Sequence, residues 1–209
     1  MSEATHLNQL RKIGTIWTFD LNDPIPLLPA KIAIDFRRAG SDLSQALAEE
    51  LHGVMVSEIL ERFKSGRRCY TAWVGAQLAA CGWVSFLDEY VGELDVRLRL
   101  LPGEAYIWDC VTRPAMRGQH VYTSLLGFIL ARLQLDGLHR AWIGADIENV
   151  ASQSGIHLAG FQPVADMVVR TDTRSARLQV QGRADAPKAL VAAAHRLYLG
   201  DRDRVLLRT

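Results

Sequence analysis

The chain has 209 residues, 49% of them hydrophobic, and its 24 basic and 23 acidic side chains leave a formal net charge of +1. That composition can fill a core and excludes a disordered chain, and the near-neutral charge gives no global attraction to nucleic acid or to an anionic membrane. Cys69, Cys81 and Cys110 are odd in number, lack C-x-x-C spacing and lie in apolar segments, so they read as reduced core residues of a cytoplasmic protein. Residues 1–12 carry no apolar leader, and no run approaches the roughly 20 apolar residues of a membrane span.

In chain order, residues 13–20 have strand composition and are expected at a sheet edge, and Asp23-Pro-Ile-Pro with Pro29 reads as an extended connector. Residues 31–37 alternate Ile32, Ile34 and Phe36 with other residues at a strand's two-residue period. Ser41-Asp42 can cap a helix that presents Leu43, Ala46, Leu47 and Leu51, and Val54 to Phe63 supplies a second amphipathic helix. Residues 69–74 and 78–86 form a hairpin around Gly75-Ala76-Gln77. Residues 93–100 alternate dry and wet positions, and Pro102-Gly103 turns them into a strand at 104–112, with Glu104 beside the turn and solvated.

From Tyr106 to Thr112 the residues are mostly aromatic or β-branched, and Pro114 stops the ladder because it has no N–H. Leu125, Leu126, Ile129, Leu130 and Leu133 then recur at helical spacing, so Arg117 and Gly118 fall where the first unpaired N–H groups of a helix point outward, a site that attracts anions. Asp136-Gly137 closes that helix and 141–147 is the next strand, which makes a βαβ unit with parallel strands. Asn149 caps a helix to Ala159, Gly160 ends it with Phe161 as the contact beyond, 164–170 returns as a strand, and Leu178-Gln-Val continues in strand style. Asp185-Ala-Pro-Lys opens a last helix, 187–199, ended by Gly200; the tail 201–209 has no assignment. With no repeat or linker, 1–209 reads as a single α/β (α+β) domain with a mixed sheet and helices on both faces.

The order strand, Arg-Gly loop, helix, strand, Asn-capped helix, Ala-Gly-Phe, strand resembles the GCN5-related N-acetyltransferase (GNAT) superfamily. Its pyrophosphate loop, [QR]-x-x-G-x-[GA], falls on Arg117-Gly-Gln-His-Val-Tyr122 behind Pro114, and its N-x-x-S/A…A-G-F signature falls on Asn149, Ser152 and Ala159-Gly160-Phe161. The order of elements covers about residues 31–170, with the diagnostic residues in 109–126 and 148–161. The sequence departs from the pattern at His120, where the loop usually has Gly, at Tyr122, where Gly or Ala is usual, and at Ile156, which replaces the family's tyrosine acid.

The resemblance implies acetyl-CoA, or another acyl-CoA, as co-substrate, a small-molecule or peptide amine as acceptor, and direct attack of the amine on the thioester. It implies that main-chain N–H groups of Val111, Thr112 and Arg113 bind the thioester oxygen. Arg117 and the amides of Gly118, Gln119, His120, Val121 and Tyr122 would bind pyrophosphate, and Asn149 and Ser152 the pantetheine or ribose-phosphate side. Asp109 is the candidate base, a carboxylate on the strand face of Ile107 and Val111 whose burial would raise its pKa; the alternative is that it pairs with an arginine such as Arg113 or caps a neighbouring backbone group. Tyr122 is the candidate acid, or stacks on the cofactor, or packs under the loop; Ser154 or the helix dipole are alternatives for assisting the thiolate. His120 reads as a solvated first-turn residue, with a role as base or phosphate contact as the alternative.

His6, His52, His139 and His195 are scattered without metal spacing, the tryptophans fit packing better than base stacking, and Arg37-Arg38 and Arg67-Arg68 read as solvated ends of elements. No metal, nucleic acid or membrane partner is expected, and a homodimer stays open. Two rival readings are an acyl-CoA-binding module without chemistry and a transferase for longer acyl chains.

Overall fold

The computed structural model describes residues 9–92, 96–171, 176–199 and 204–206. The strands are β1 (Gln9–Asp20), β2 (Asp35–Ala39), β3 (Arg68–Val74), β4 (Gln77–Ser85), β5 (Glu89–Val91), β6 (Val96–Leu98), β7 (Glu104–Thr112), β8 (Arg140–Asp146), β9 (Gln162–Thr171), β10 (Ala176–Gly182) and β11 (Arg204–Leu206). The helices are α1 (Ser44–Ala46), α2 (Val56–Lys64), α3 (Val121–Leu135), α4 (Val150–Leu158) and α5 (Lys188–Leu199). A 3-10 turn, Ser41–Leu43, leads into α1, and a π-helical turn, Leu47–His52, continues it to Gly53 in the left-handed region at φ 65°.

Nine strands form one sheet in the order β11-β10-β9-β1-β8-β7-β4-β3-β2, and β5 and β6 pair separately. The parallel pair is β7 with β8, joined by α3 as the crossover, and the rest pair antiparallel. One face packs α3 and α4: Val121, Leu125, Ile129, Leu133 and Ile156 meet Ala80, Ala105, Ile107 and Ala141. Small residues let α3 approach, since a Cβ on Gly82 would lie 3.2 Å from Ile129 Cδ1. On the other face the helical residues 41–64 cover β3, β4 and β7, where Leu47, Ile59, Trp83 and Cys69 cluster. Beside them α5 covers β8, β1, β9 and β10 through Leu197 and Tyr198 on Trp142 and Met167. Strands covered on both faces read as near-continuous apolar runs, as β4 does.

The structure departs from the sequence reading in several places. β1 is not an edge strand but lies between β8 and β9, paired along both sides. Its periodicity carried no such information, because an interior strand made by a remote segment differs from an edge only in its neighbours. β2 starts at Asp35 rather than Lys31, and the connector before it crosses α3, where Ser124 Oγ donates to the Leu28 carbonyl and Lys31 N to the Gln119 carbonyl. β6 pairs with β5 instead of turning into β7; Glu93, Leu94 and Asp95 of the alternating stretch lie outside the described residues, as do Gly200 and most of the tail. Glu104 is buried, not solvated, accepting from Leu101 N at 3.0 Å and from Arg196 Nη2 at 2.8 Å. Arg67 and Arg68 are not free ends: Arg67 binds both oxygens of buried Glu89 at 2.6 Å, and Arg68 pairs with Asp136. Among the described residues no helix is long and apolar enough to cross a membrane.

Candidate acyl-transfer site

β7 and β8 are held side by side only from Glu104↔Arg140 to Ile107↔Ile143, although the strands continue to Thr112 and Asp146. Two strands that run on unpaired leave a gap between their carboxyl ends. A β-bulge accompanies the departure: Cys81 faces Val111 and Trp83 faces Trp108, so Asp109 and Cys110 together oppose Gly82. Asp109 takes φ 44°, uncommon without glycine and tolerated by Asp better than by most residues. Gly82 makes room for the bulge, because a Cβ there would meet Cys110 Sγ at 3.0 Å.

At the end of the gap stands the N-terminus of α3. Arg117 and Gly118 are exposed; Gly118 has φ 75° and the N-cap residue His120 φ 58°, so the backbone curls twice through the left-handed region before the helix starts. His120 makes no side-chain cap hydrogen bond, which leaves the first-turn N–H groups of Val121, Tyr122 and Thr123 without that partner. His120 therefore holds the conformation a glycine, usual at this place in the loop, would adopt freely.

Tyr122 packs under α4. A Cβ on Gly155 would lie 2.5 Å from Tyr122 Cδ1, so this pair fits only with glycine, and the phenol oxygen reaches Ser152 Oγ at 3.2 Å. Burial pushes the Tyr122 hydroxyl well up, so it holds its proton rather than releasing it, against the assignment as acid. Asn149 caps α4, its Oδ1 accepting from Ser152 N at 3.0 Å. Both residues of the second motif thus bind within the protein, and their surface toward the gap is what remains for a ligand. Ile156, in the position of the family's tyrosine, is fully buried.

Of the residues expected at the thioester oxygen, Arg113 is committed elsewhere: its N–H donates to the Ala79 carbonyl at 2.9 Å, and its guanidinium binds the Leu78 carbonyl and Glu50. N–H groups alternate sides along a strand, so that of Thr112 points to the open edge.

The bulge places Asp109 on the face of Trp108 and Val111, opposite Ile107. There Oδ2 accepts from Arg62 Nη1 at 2.5 Å and lies 3.2 Å from His52 Nδ1, the last residue of the π-helical turn. The expectation of a raised pKa fails: burial raises it, but the His52 and Arg62 contacts outweigh burial and hold Asp109 below the ordinary carboxylate value. The pairing alternative was right in kind, with Arg62 in place of Arg113. On its far side His52 Nε2 lies 3.2 Å from Cys81 Sγ and accepts from Trp83 Nε1 at 3.3 Å. Burial disfavours the imidazolium, but Asp109 and Cys81 push His52 up to about 9, and the Trp83 N–H, which needs the Nε2 lone pair, opposes that shift. Arg62 also lies over Trp108 at 4.8 Å and Trp83 at 5.2 Å. His52 and Arg62 escaped the sequence reading because each sits on an amphipathic segment, far from Asp109 in the chain.

The family model described as "Acetyltransferase (GNAT) family" matches residues 37–161. The chain belongs to that family. By its description that family is one of acetyltransferases. No curated protein is significantly similar to the chain. Among solved structures, a GNAT acetyltransferase from Colwellia psychrerythraea is 16% identical over 85% of this chain and 59% of its own, with a TM-score of 0.56. A GCN5-related N-acetyltransferase from Sphaerobacter thermophilus is 14% identical over 74% of this chain and 50% of its own, TM-score 0.53. A GNAT-family structure from Novosphingobium aromaticivorans is 17% identical over 77% of this chain and 65% of its own, TM-score 0.50. The chain thus spans between half and two thirds of these proteins, and the likeness is one of GNAT fold. The family match leaves out β1, β9, β10 and α5, the elements that complete one side of this sheet.

Proposed function

We propose that the chain is an N-acetyltransferase that moves an acetyl group from acetyl-CoA to an amine by direct attack within a ternary complex. The observation that carries this is the gap between β7 and β8, open at its end onto an α3 N-terminus whose N-cap side chain gives it no hydrogen bond and beside which Arg117 is exposed. The donors fit a pyrophosphate, with Arg117 as the charge and the amides of Gly118 to Thr123 as the directional donors. The pantetheine arm, itself amide-bearing, would lie between the strand edges and meet the backbone groups that β7 and β8 leave unmatched there. The N–H of Thr112 points into the gap near its open end, where it is placed to meet the arm. In the reaction the amine nitrogen bonds to the acyl carbon, the C–S bond breaks, and the proton lost by the amine ends on the CoA thiolate.

Asp109 serves in this scheme as an anchor for His52 and Arg62 rather than as a free base. Most of residues 9–206 surround one sheet, which supports one functional unit with the N-terminal strand and α5 as additions. A cytoplasmic setting is supported by the free thiols of Cys69, Cys81 and Cys110. Acetyl-CoA should raise the melting temperature, and CoA thiol should be released in the presence of an amine from a mixed panel. Absence of any shift with acetyl-CoA would refute the binding role, and a shift without thiol release over a broad panel would leave a binding module.

A further inference from the structure

A cavity of about 350 Å³ opens on the α5 face of the sheet, with Arg11, Tyr106, Asp146, Glu148, Met167 and Tyr198 in its wall. Its inner end is the point where β7 and β8 part. Gly144 follows Ile143, the last residue paired with β7, and a Cβ on it would lie 2.8 Å from Tyr198 Oη and 3.0 Å from Tyr106 Oη. A glycine within a strand marks a close approach, and here it admits two hydroxyls to the base of the gap. The loop that would hold pyrophosphate lies at the end of the gap, by α3 on the opposite face, so an arm threaded between the strands would bring its reactive end to this cavity.

The lining has two chemistries. Inside, Ile13, Val91 and Met167 are apolar, and the two hydroxyls are 3.0 Å apart. Only one proton can lie between two hydroxyl oxygens, so one O–H is left to donate into the cavity. Burial pushes Tyr106 up to about 12 and Tyr198 upward as well, so that group donates a hydrogen bond without ionising. At the rim, Arg11 stands on β1 across from Asp146, the last residue of β8, and Glu148 just beyond it; Arg11 and Glu148 are exposed and make no ion pair with any described residue, and Asp146 accepts the Glu148 N–H at 2.7 Å. One cation and two anions at the rim, with Ile13, Val91 and Met167 beside the two hydroxyls within, suit a ligand with an ammonium, a carboxylate and a partly apolar body. The volume is at the low end for small-molecule sites, suited to a single residue-sized molecule.

We propose that this cavity is the acceptor pocket and that the acceptor is a small α-amino acid with an apolar side chain, its carboxylate on Arg11 and its amine between Asp146, Glu148 and the opening of the gap. The assignment rests on the acyl-CoA reading of the gap given above. It also locates acceptor choice largely in β1, β9 and α5, which the family match does not include.

The test is CoA thiol release from acetyl-CoA with leucine, methionine and phenylalanine, each set against its decarboxylated amine, with wild type and Arg11→Gln. The amino acids should exceed their amines in kcat/KM by roughly tenfold or more, and Arg11→Gln should erase that preference by raising KM for the amino acids alone. The thermal shift with acetyl-CoA should be the same in both proteins. A shift with acetyl-CoA but equal or better turnover of the amines, no turnover of amino acids, or an unchanged preference in Arg11→Gln would overturn the pocket while leaving the cofactor reading intact. No shift with acetyl-CoA in wild type would overturn both.

Discussion

The two ends of the gap are supplied differently. The anion-binding end is a run of consecutive residues, 114–124, whose turn, loop and helix start are set by local sequence. The cavity at the other end draws Arg11 from β1, Tyr106 from β7, Met167 from β9 and Tyr198 from α5. A site built from one stretch keeps its chemistry when the surrounding chain drifts, and a site built from several separate elements can change its specificity without touching the cofactor end. The comparison breaks if a change at one end disturbs the ligand of the other.

The largest separation is expected from Arg117→Glu. Reversing a charge that meets pyrophosphate should remove about 1.5–3 kcal/mol, or weaken acetyl-CoA binding by roughly 10- to 100-fold, as read by titration calorimetry. The KM for the acceptor should hardly move. Gly144→Ala should act at the other end, forcing the two tyrosine hydroxyls back at a cost of about 1–3 kcal/mol in stability. It should lower kcat while acetyl-CoA affinity stays within about twofold, and a loss of affinity instead would show that the two ends are not separable.

Asp109→Asn tests the ion-pair cluster. Because the native pKa of Asp109 is lowered, its contribution is present above the ordinary value of 3.8 and is lost as pH falls through the lower native value. The melting-temperature gap between wild type and Asp109→Asn should thus be full at neutral pH and close below about pH 3.8. A gap that widens on acidification would reverse the sign argued here. The smallest effect belongs to His120→Gly. Relief of the left-handed backbone, less the added freedom of glycine in the unfolded chain, should stabilise by about 0.5–1 kcal/mol. If acetyl-CoA affinity falls in this variant, the imidazole itself touches the ligand.

Much of this was legible because it is local. The strand at 104–112, the helix to Leu135, the Asn149 cap and the Gly160 end at φ 93° all follow from periodicity, caps and glycine placement. The bulge was not legible, since two residues opposing Gly82 is a relation between strands, and it decides which face Asp109 occupies. Nor was the destination of β1, which depends on which strands leave room beside β8. His52, Arg62 and Tyr198 carry ordinary helix-pattern signals and acquire their roles only through contacts 40 or more residues away in the chain. Gly144 was the one local hint of the second end, a glycine inside a strand pattern.

The central claim is that the unpaired strand ends and the first turn of α3 together hold an acyl-CoA. Amide hydrogen exchange with and without acetyl-CoA tests it at the groups concerned. The structure predicts slowed exchange at residues 118–123, at Thr112 and along 144–147, with β2 and β3 unchanged. Unaltered exchange at 118–123 under saturating acetyl-CoA, or protection confined to another part of the sheet, would contradict it.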